Sequence, residues 1–312
     1  MTITQLKYVL AVAQYQNFTK AAHKVFVTQP TLSMQIQKLE DELDVQIFDR
    51  TKKPIELTET GKKIVKQAHN IVNESDRIQD IVDQEKGFIG GEFKIGVIPT
   101  VMPTLLPMFL MNFVNRYPKV ILRIEELTTE NIVEKLLDGS IDAAIAATPL
   151  ENELIKERVL YYEPFVCYDP KNSGKSKEKM KVEDINVDEL LLLEDGHCFK
   201  DNVLNLCRSK RQSGDERFTL ESGSFETMIK LSDEGLGMTL LPYLNTMDLS
   251  ERKMQNLRFF EEPSPASEVS LIYHKSELKM QIIEALQTVI AGVVKGAIAF
   301  SNVKIISPLA KK

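Results

Sequence analysis

Between Thr58 and Gly87 apolar residues recur at helical spacing, as Ile64, Val65, Ala68, Ile71, Val72, Ile78, Ile81 and Val82. A helix of roughly 28 residues spans about 42 Å. That is long for a helix lying on the surface of one monomer, so the segment reads as a linker with separate folded parts on either side. Its free apolar face suits pairing with a second copy of the chain. We assign 58–87 as a linker and dimerisation helix, opened by Thr58, Thr60 and Gly61.

The part before it, 1–66, is also mostly helical, with Leu6, Val9, Leu10 and Ala13 followed by Leu32, Ile36, Leu39 and Leu43. Asn17 suits the cap of a helix starting near Thr19. Thr28, followed closely by Pro30 and Thr31, suits the start of another. The two short helices meet at Phe26 and Val27. On the second, Gln29, Thr31, Ser33, Gln35, Gln37 and Lys38 lie beside the apolar stripe and carry groups that reach base edges and phosphates. The run Asp49, Arg50, Thr51, Lys52, Lys53, Pro54 resembles the tip of a basic hairpin, a wing beside that helix. Short helical pairs that begin with proline also occur in enzymes, and lysines on a turn can be merely solvated. Periodicity by itself therefore leaves the DNA-binding reading open.

Charge adds to the contrast. The chain of 312 residues carries −6, but residues 1–66 hold 10 Lys or Arg against 7 Asp or Glu, a balance of +3 that leaves −9 on the other 246. A nucleic-acid surface covering the whole molecule is disfavoured, whereas one at the N-terminal end is not.

After Gly90 and Gly91 the pattern changes to strands alternating with helices. FKIGVI is followed by Pro99, Thr100 and a helix containing Leu105, Leu106, Phe109 and Phe113; VILRIEEL leads into a helix at 131–137 and a strand at 141–146. This predicts parallel sheet with crossover helices, whose ligand sites form beyond the carboxyl ends of strands; Thr100 and Thr128 stand at such ends. Residues 169–181, with five lysines and no apolar period, read as a solvated loop. A second α/β unit follows with strands at 190–193, 218–221 and 238–241 and a helix at 225–231. The strand VSLIYH and a final helix from 280 to about 300 return to the first unit, and the tail beyond Phe300 reads as a loose end. The expected architecture is α/β. A winged helix-turn-helix and a long linker helix precede a two-lobed domain like a periplasmic binding protein, with subdomain I at 91–165 and 266–300 and subdomain II at 166–265. A hinge and an interlobe cleft come with it.

Several function classes are excluded. No phosphate-binding glycine loop, serine nucleophile elbow or metal motif appears, and Gly235 and Gly237 in DEGLGMTLLP make a turn, not a nucleotide site, so we read the chain as a non-enzyme with no cofactor and no metal. No stretch reaches the length and apolarity of a membrane span, and MTITQLKYVL lacks the features of a signal peptide; a cytoplasmic location is expected. Three cysteines match neither a disulfide framework nor a zinc site. Cys167, between Val166 and Tyr168, reads as a small buried hydrophobe. His23, His69 and His274 have no evident ligand partner.

LKYVLAVAQYQNFTKAAHKVFVTQPTLSMQIQKLEDELDVQIFDRTKKPIELTETGKKI resembles the N-terminal domain of LysR-type transcriptional regulators, and the resemblance extends over nearly the whole chain. It implies the winged helix-turn-helix, the pairing linker helix and the two-subdomain regulatory half. It puts Thr28, Gln29, Pro30, Thr31, Ser33 and Gln35 where that family meets the major groove, and Arg50, Lys52 and Lys53 on or near a wing that touches the DNA backbone. The implied partners are double-stranded promoter DNA, further copies of the chain, with a tetramer expected, and RNA polymerase. No membrane is involved.

Two further stretches resemble the hydrogen-peroxide-sensing members of the family: LLLEDGHCFKDNVLNLC at 191–207, similar to their redox segment, and GVIPTV at 96–101 with Pro103 and LLP at 105–107. The resemblance implies that Cys198 is the peroxidatic thiol and Cys207 the resolving one, joined on oxidation, with Thr100, Thr129 and His197 forming the peroxide pocket. Ser267 departs from the pattern, standing where those proteins carry an arginine, with Arg123 or Lys200 as candidate substitutes. A peroxide-sensing thiol must ionise, since the thiolate attacks the O–O bond and becomes sulfenic acid. His197 and Lys200 suit that ionisation, and the two threonine hydroxyls suit donation to peroxide oxygens. If 199–207 is a helix, the two cysteines are separated by about 13.5 Å of rise on opposite faces. A disulfide needs Cα atoms within roughly 7 Å. Oxidation then requires the segment to be rebuilt. The competing reading is a regulator of the same family that responds to a small organic effector in the interlobe cleft, with the cysteines incidental.

Overall fold

In the computed structural model the described residues are 1–85, 89–174, 179–192, 224–298 and 303–306. They form two compact units, one built on residues 1–88 with 137–140 and the other on the remainder.

The first unit begins with three helices whose starts are set by side-chain caps. Thr2 accepts from the Gln5 amide and opens α1 (Ile3–Tyr15), Asn17 accepts from Lys20 N at 2.9 Å and opens α2 (Phe18–Lys24), and Thr28 opens α3 (Gln29–Leu43) with Pro30 in its first turn. Each cap satisfies an amide that the first turn of a helix leaves without an internal partner. Leu6, Val9, Val12, Ala21, Leu32, Ile36 and Leu39 meet in one core with Ile47 and Phe48. Burying each of the larger ones contributes about 2 kcal/mol. The wing is a two-stranded antiparallel pair, β1 (Phe48–Asp49) with β2 (Glu56–Leu57). Helix α4 (Glu59–Glu85) buries Ala68 and Val72 on this core, and farther along it Ile78, Ile81 and Val82 are exposed. Gly61, at its start, has no room for a side chain because a Cβ would fall on the Ile47 carbonyl.

The second unit is a mixed nine-stranded sheet. β3 (Gly91–Val97) runs parallel to both β4 (Val120–Glu126) and β5 (Ala143–Thr148), crossing through α5 (Met102–Arg116) and α6 (Thr129–Leu137). The long strand β6 (Ile155–Tyr168) belongs to two cores. Ile155, Leu160 and Tyr161 pack with Phe93, Phe109, Phe113 and Ile145, whereas Phe165 to Tyr168 pack with Leu190, Met228, Leu240 and Leu241. β7 (Leu190–Leu191), α7 (Phe225–Asp233), β8 (Met238–Pro242) and β9 (Leu257–Phe259) complete the second core. β10 (Ser264–His274) returns antiparallel between β5 and β6, and α8 (Met280–Val294) closes the first core. Cys167 is buried in the second core, its Sγ 3.9 Å from Met238 Sδ.

Four expectations need correction. The sheet is not purely parallel, because the long strands β6 and β10 pair antiparallel, as β10 does with β5. The strand expected at 269–274 starts at Ser264, and the last helix stops at Val294. The tail is not loose: β11 (Val303–Ile305) pairs parallel with Ser264–Ala266 and brings Ile306 into the second core. Within the lysine-rich stretch, Met180 bridges to Phe260 and is buried, because one apolar side chain among lysines is enough to tie that loop down. The strand expected at 218–221 lies outside the described residues.

Candidate functional site

Thr28, Gln29, Pro30 and Thr31 lie at the exposed start of α3, with Ser33 and Gln35 half-buried one turn on. The hydroxyls of Thr28 and Thr31 are 2.8 Å apart. Gln35 is tethered, its backbone and side-chain oxygens both accepting from Gln5 Nε2 at 3.4 Å. Phe26, in the turn between α2 and α3, is 95% exposed at φ 57°, an unusual place for a large ring beside a surface rich in polar groups.

On the wing, Lys52 and Lys53 are exposed. Asp49 accepts from the amide and the hydroxyl of Thr51 at 2.9 and 2.6 Å, which holds its carboxyl below the usual range. Arg50 has a different setting. It donates through Nη2 to Glu40 Oε2 at 2.7 Å and lies over the Phe18 ring. Sequence reasoning missed Glu40, although the signal was present: four residues after Ile36, it falls on the apolar face of α3.

In the second unit, the register of parallel strands places two threonines just beyond neighbouring strand ends. Val97 pairs with Glu126, and Thr100 and Thr129 each stand three residues beyond those positions. The Leu127 amide donates to the Val97 carbonyl and the Ile98 amide to the Ile145 carbonyl, both at 3.1 Å, fixing the loops at the strand ends. Thr100 is 4% exposed. Thr128 caps α6 by accepting from Asn131 N, which leaves the Thr129 hydroxyl for something else. That oxygen is buried with no hydrogen-bond partner among the described residues. At the end of the next strand Thr148 is fully engaged, donating to Glu268 Oε1 at 2.7 Å and lying 2.6 Å from the Ser270 hydroxyl.

Ser267 is buried in β10, directly across from Glu163 of β6. Glu163 accepts from the Leu244 amide at 2.9 Å, and burial pushes its carboxyl up to about 7. Arg123, one candidate for the missing pocket cation, is an exposed partner of Glu92. Lys200, His197, Cys198 and Cys207 lie outside the described residues. Among the described residues no cluster of His, Cys, Asp and Glu is arranged to hold a metal, and no helix is long and apolar enough to cross a membrane.

Residues 3–62 match the family described as bacterial regulatory helix-turn-helix protein, lysR family, and residues 86–293 match the LysR substrate binding domain. The chain is 33% identical over 274 residues to the hydrogen peroxide-inducible genes activator of Pectobacterium carotovorum subsp. carotovorum, covering 88% of this chain and 90% of that one. It is 32% identical over 277 residues to the DNA-binding transcriptional dual regulator OxyR of Escherichia coli, covering 88% and 89%. A full-length OxyR from Pseudomonas aeruginosa with a cysteine-to-aspartate change superposes with a TM-score of 0.76 at 34% identity, covering 93% of this chain and 94% of that one. A hydrogen-peroxide-bound OxyR mutant from Corynebacterium glutamicum gives 0.61 at 27% identity, covering 95% and 93%.

Proposed function

Because this chain belongs to the LysR family of bacterial transcription regulators, we propose that it is a peroxide-sensing transcription factor that binds promoter DNA and switches conformation through a Cys198–Cys207 disulfide. The observation that carries the reading is the pair of threonines at neighbouring strand ends, one with a buried hydroxyl that has no hydrogen-bond partner among the described residues. A buried unpaired hydroxyl is unfavourable by about 1–3 kcal/mol. Its retention is understandable if a small polar ligand completes it, and hydrogen peroxide, which accepts and donates, suits that role.

In this reading the Cys198 thiolate attacks one peroxide oxygen, the O–O bond breaks, and the products are Cys198 sulfenic acid and hydroxide, which takes up a proton to leave as water. The Cys207 thiol then displaces the sulfenic hydroxyl as a second water, and the disulfide forms. Thr100, Thr129 and His197 hold the peroxide and stabilise the charge on the leaving oxygen. Two electrons pass from the thiols to peroxide, with no cofactor required.

The DNA side of the proposal assigns Thr28, Gln29, Pro30, Thr31, Ser33 and Gln35 to the major groove and Lys52 and Lys53 to phosphates. Subunits pair along α4, where Ile78, Ile81 and Val82 present an apolar stripe. Residues 1–66 are the DNA-binding part; 91–165 with 266–300, and 166–265, are the regulatory subdomains that carry the switch to paired heads on adjacent half-sites.

The test is a stoichiometric peroxide pulse followed by peptide mass mapping, with footprinting of the reduced and treated protein upstream of its own gene. A Cys198–Cys207 peptide and an altered footprint are expected, lost in Cys198→Ser; Cys207→Ser stops at the sulfenic acid. Equal thiol content before and after the pulse defeats the proposal.

A further inference from the structure

We propose that Arg50 is a positioning residue that aims the wing, acting through Glu40, and that it is not one of the wing's phosphate contacts. The inference rests on the reading that α3 and the wing meet DNA.

Glu40 is 4% exposed on the apolar face of α3. A carboxylate in such a place is stable only when donors surround it. Three do: the amides of Ile47 and Phe48 at 2.8 and 3.2 Å on one oxygen, and Arg50 Nη2 at 2.7 Å on the other. The amides come from the chain entering β1 and the guanidinium from the chain leaving it, so one carboxylate grips the wing root from both sides. Arg50 also stacks 5.3 Å from the ring of Phe18, which meets Phe48 edge-on at 5.9 Å. Thr58, just ahead of α4, accepts from Gly61 N of that helix at 2.9 Å and donates through its hydroxyl to Gln46 O at 2.7 Å and through its amide to Ile47 O at 3.0 Å. The root is thereby tied to α2, α3 and α4.

Arg50 is at the centre of those ties. Its charge is met by Glu40, and swinging Nη2 onto a phosphate would leave one oxygen of that buried carboxylate without its donor. Lys52 and Lys53, farther out on the wing, are exposed and form no ion pair among the described residues. They are the groups available to a DNA backbone.

Simple electrostatics and positioning predict opposite signs for one variant. Removing the negative charge of Glu40 tightens DNA binding if only the local potential matters. If Glu40 and Arg50 aim the wing, Glu40→Gln weakens it. The experiment measures binding of the full chain by fluorescence anisotropy across a salt series, to the duplex upstream of its own gene and to a scrambled duplex of equal length. Glu40→Gln and Arg50→Gln are each expected to bind roughly tenfold more weakly, and the double variant no more weakly than the worse single one. Lys52→Gln and Lys53→Gln should each lower the salt slope by about one unit. Arg50→Gln leaves both amide bonds to Glu40 in place, so it reads out wing aim in a folded domain, and circular dichroism checks both variants. Glu40→Gln binding as tightly as wild type or tighter, or additive losses in the double variant, overturns the inference. A wild-type chain that binds neither duplex overturns the DNA-binding reading itself, and the inference with it.

Discussion

Glu40 in the first unit and Glu163 in the second are equally hidden, 4% and 3% exposed, but they are not equally served. Glu40 receives two amides and a guanidinium. Glu163 receives one amide, from Leu244, and the nearby Tyr161 hydroxyl makes no hydrogen bond of good geometry. Burial then dominates at Glu163 and pushes its carboxyl up to about 7, the amide offsetting it only in part. At Glu163 the cost of depth outweighs the single amide aimed at the carboxyl. The first acid fastens a hairpin to α3. The second is a neutral group at low pH, on the strand common to both regulatory cores, with no ion pair among the described residues.

The largest effect expected from this contrast is at Glu40. Glu40→Leu strands two amides and a guanidinium, and should destabilise the first unit by about 3 kcal/mol, seen as a lower urea midpoint. The change at Glu163 has the opposite sign. Because its folded value lies above that of a free glutamate, the native state binds the proton more tightly than the unfolded chain does. Its contribution is full below about pH 4.5 and is lost as pH rises through about 7. Glu163→Gln, which keeps an oxygen for the Leu244 amide, should therefore be more stable than wild type by about 2 kcal/mol at pH 8 and near parity at pH 5. Urea titrations at the two pH values test this; parity at both would break the contrast.

The two strand-end threonines sharpen it on a smaller scale. Thr148→Val removes an engaged hydroxyl and should cost about 1 kcal/mol. Thr129→Val removes one that has no partner among the described residues and should shift stability by less than about 0.5 kcal/mol. It should nonetheless slow oxidation of Cys198 by peroxide roughly a hundredfold, the scale of one lost donor at a reacting oxygen. Stopped-flow thiol loss and urea midpoints on the same two variants separate the roles.

The helices were legible wherever a cap and an apolar period coincided, as at Asn17 and Thr28, and strands wherever β-branched runs were flanked by turns, as at Val120–Glu126. Legibility failed where an element owes its existence to neighbours. Ser264–Glu268 has the composition of a loop, and it is a strand because β6 and β11 supply partners on both sides. Val303–Ile305 is too short to carry a period of its own. At the site, Thr100 and Thr129 were readable one at a time. Their placement beyond neighbouring strand ends comes from the β3–β4 register, a long-range fact. Glu40 was overlooked because charge on a helix was read as solvated, although its spacing from Ile36 placed it inward. The redox segment itself, from His197 to Cys207, lies outside the described residues, so its chemistry still rests on the residues as written.

The pairing of Val303–Ile305 with the beginning of β10 has a practical side. At Ala266 the strand is paired on both flanks, by β11 on one and β6 on the other. Removing residues 303–306 would open the β11 side of Ser264–Ala266 to any passing strand and would take Ile306 out of the second core. Those four residues thus serve as a selvedge, keeping the woven fabric of the sheet from catching on the next molecule.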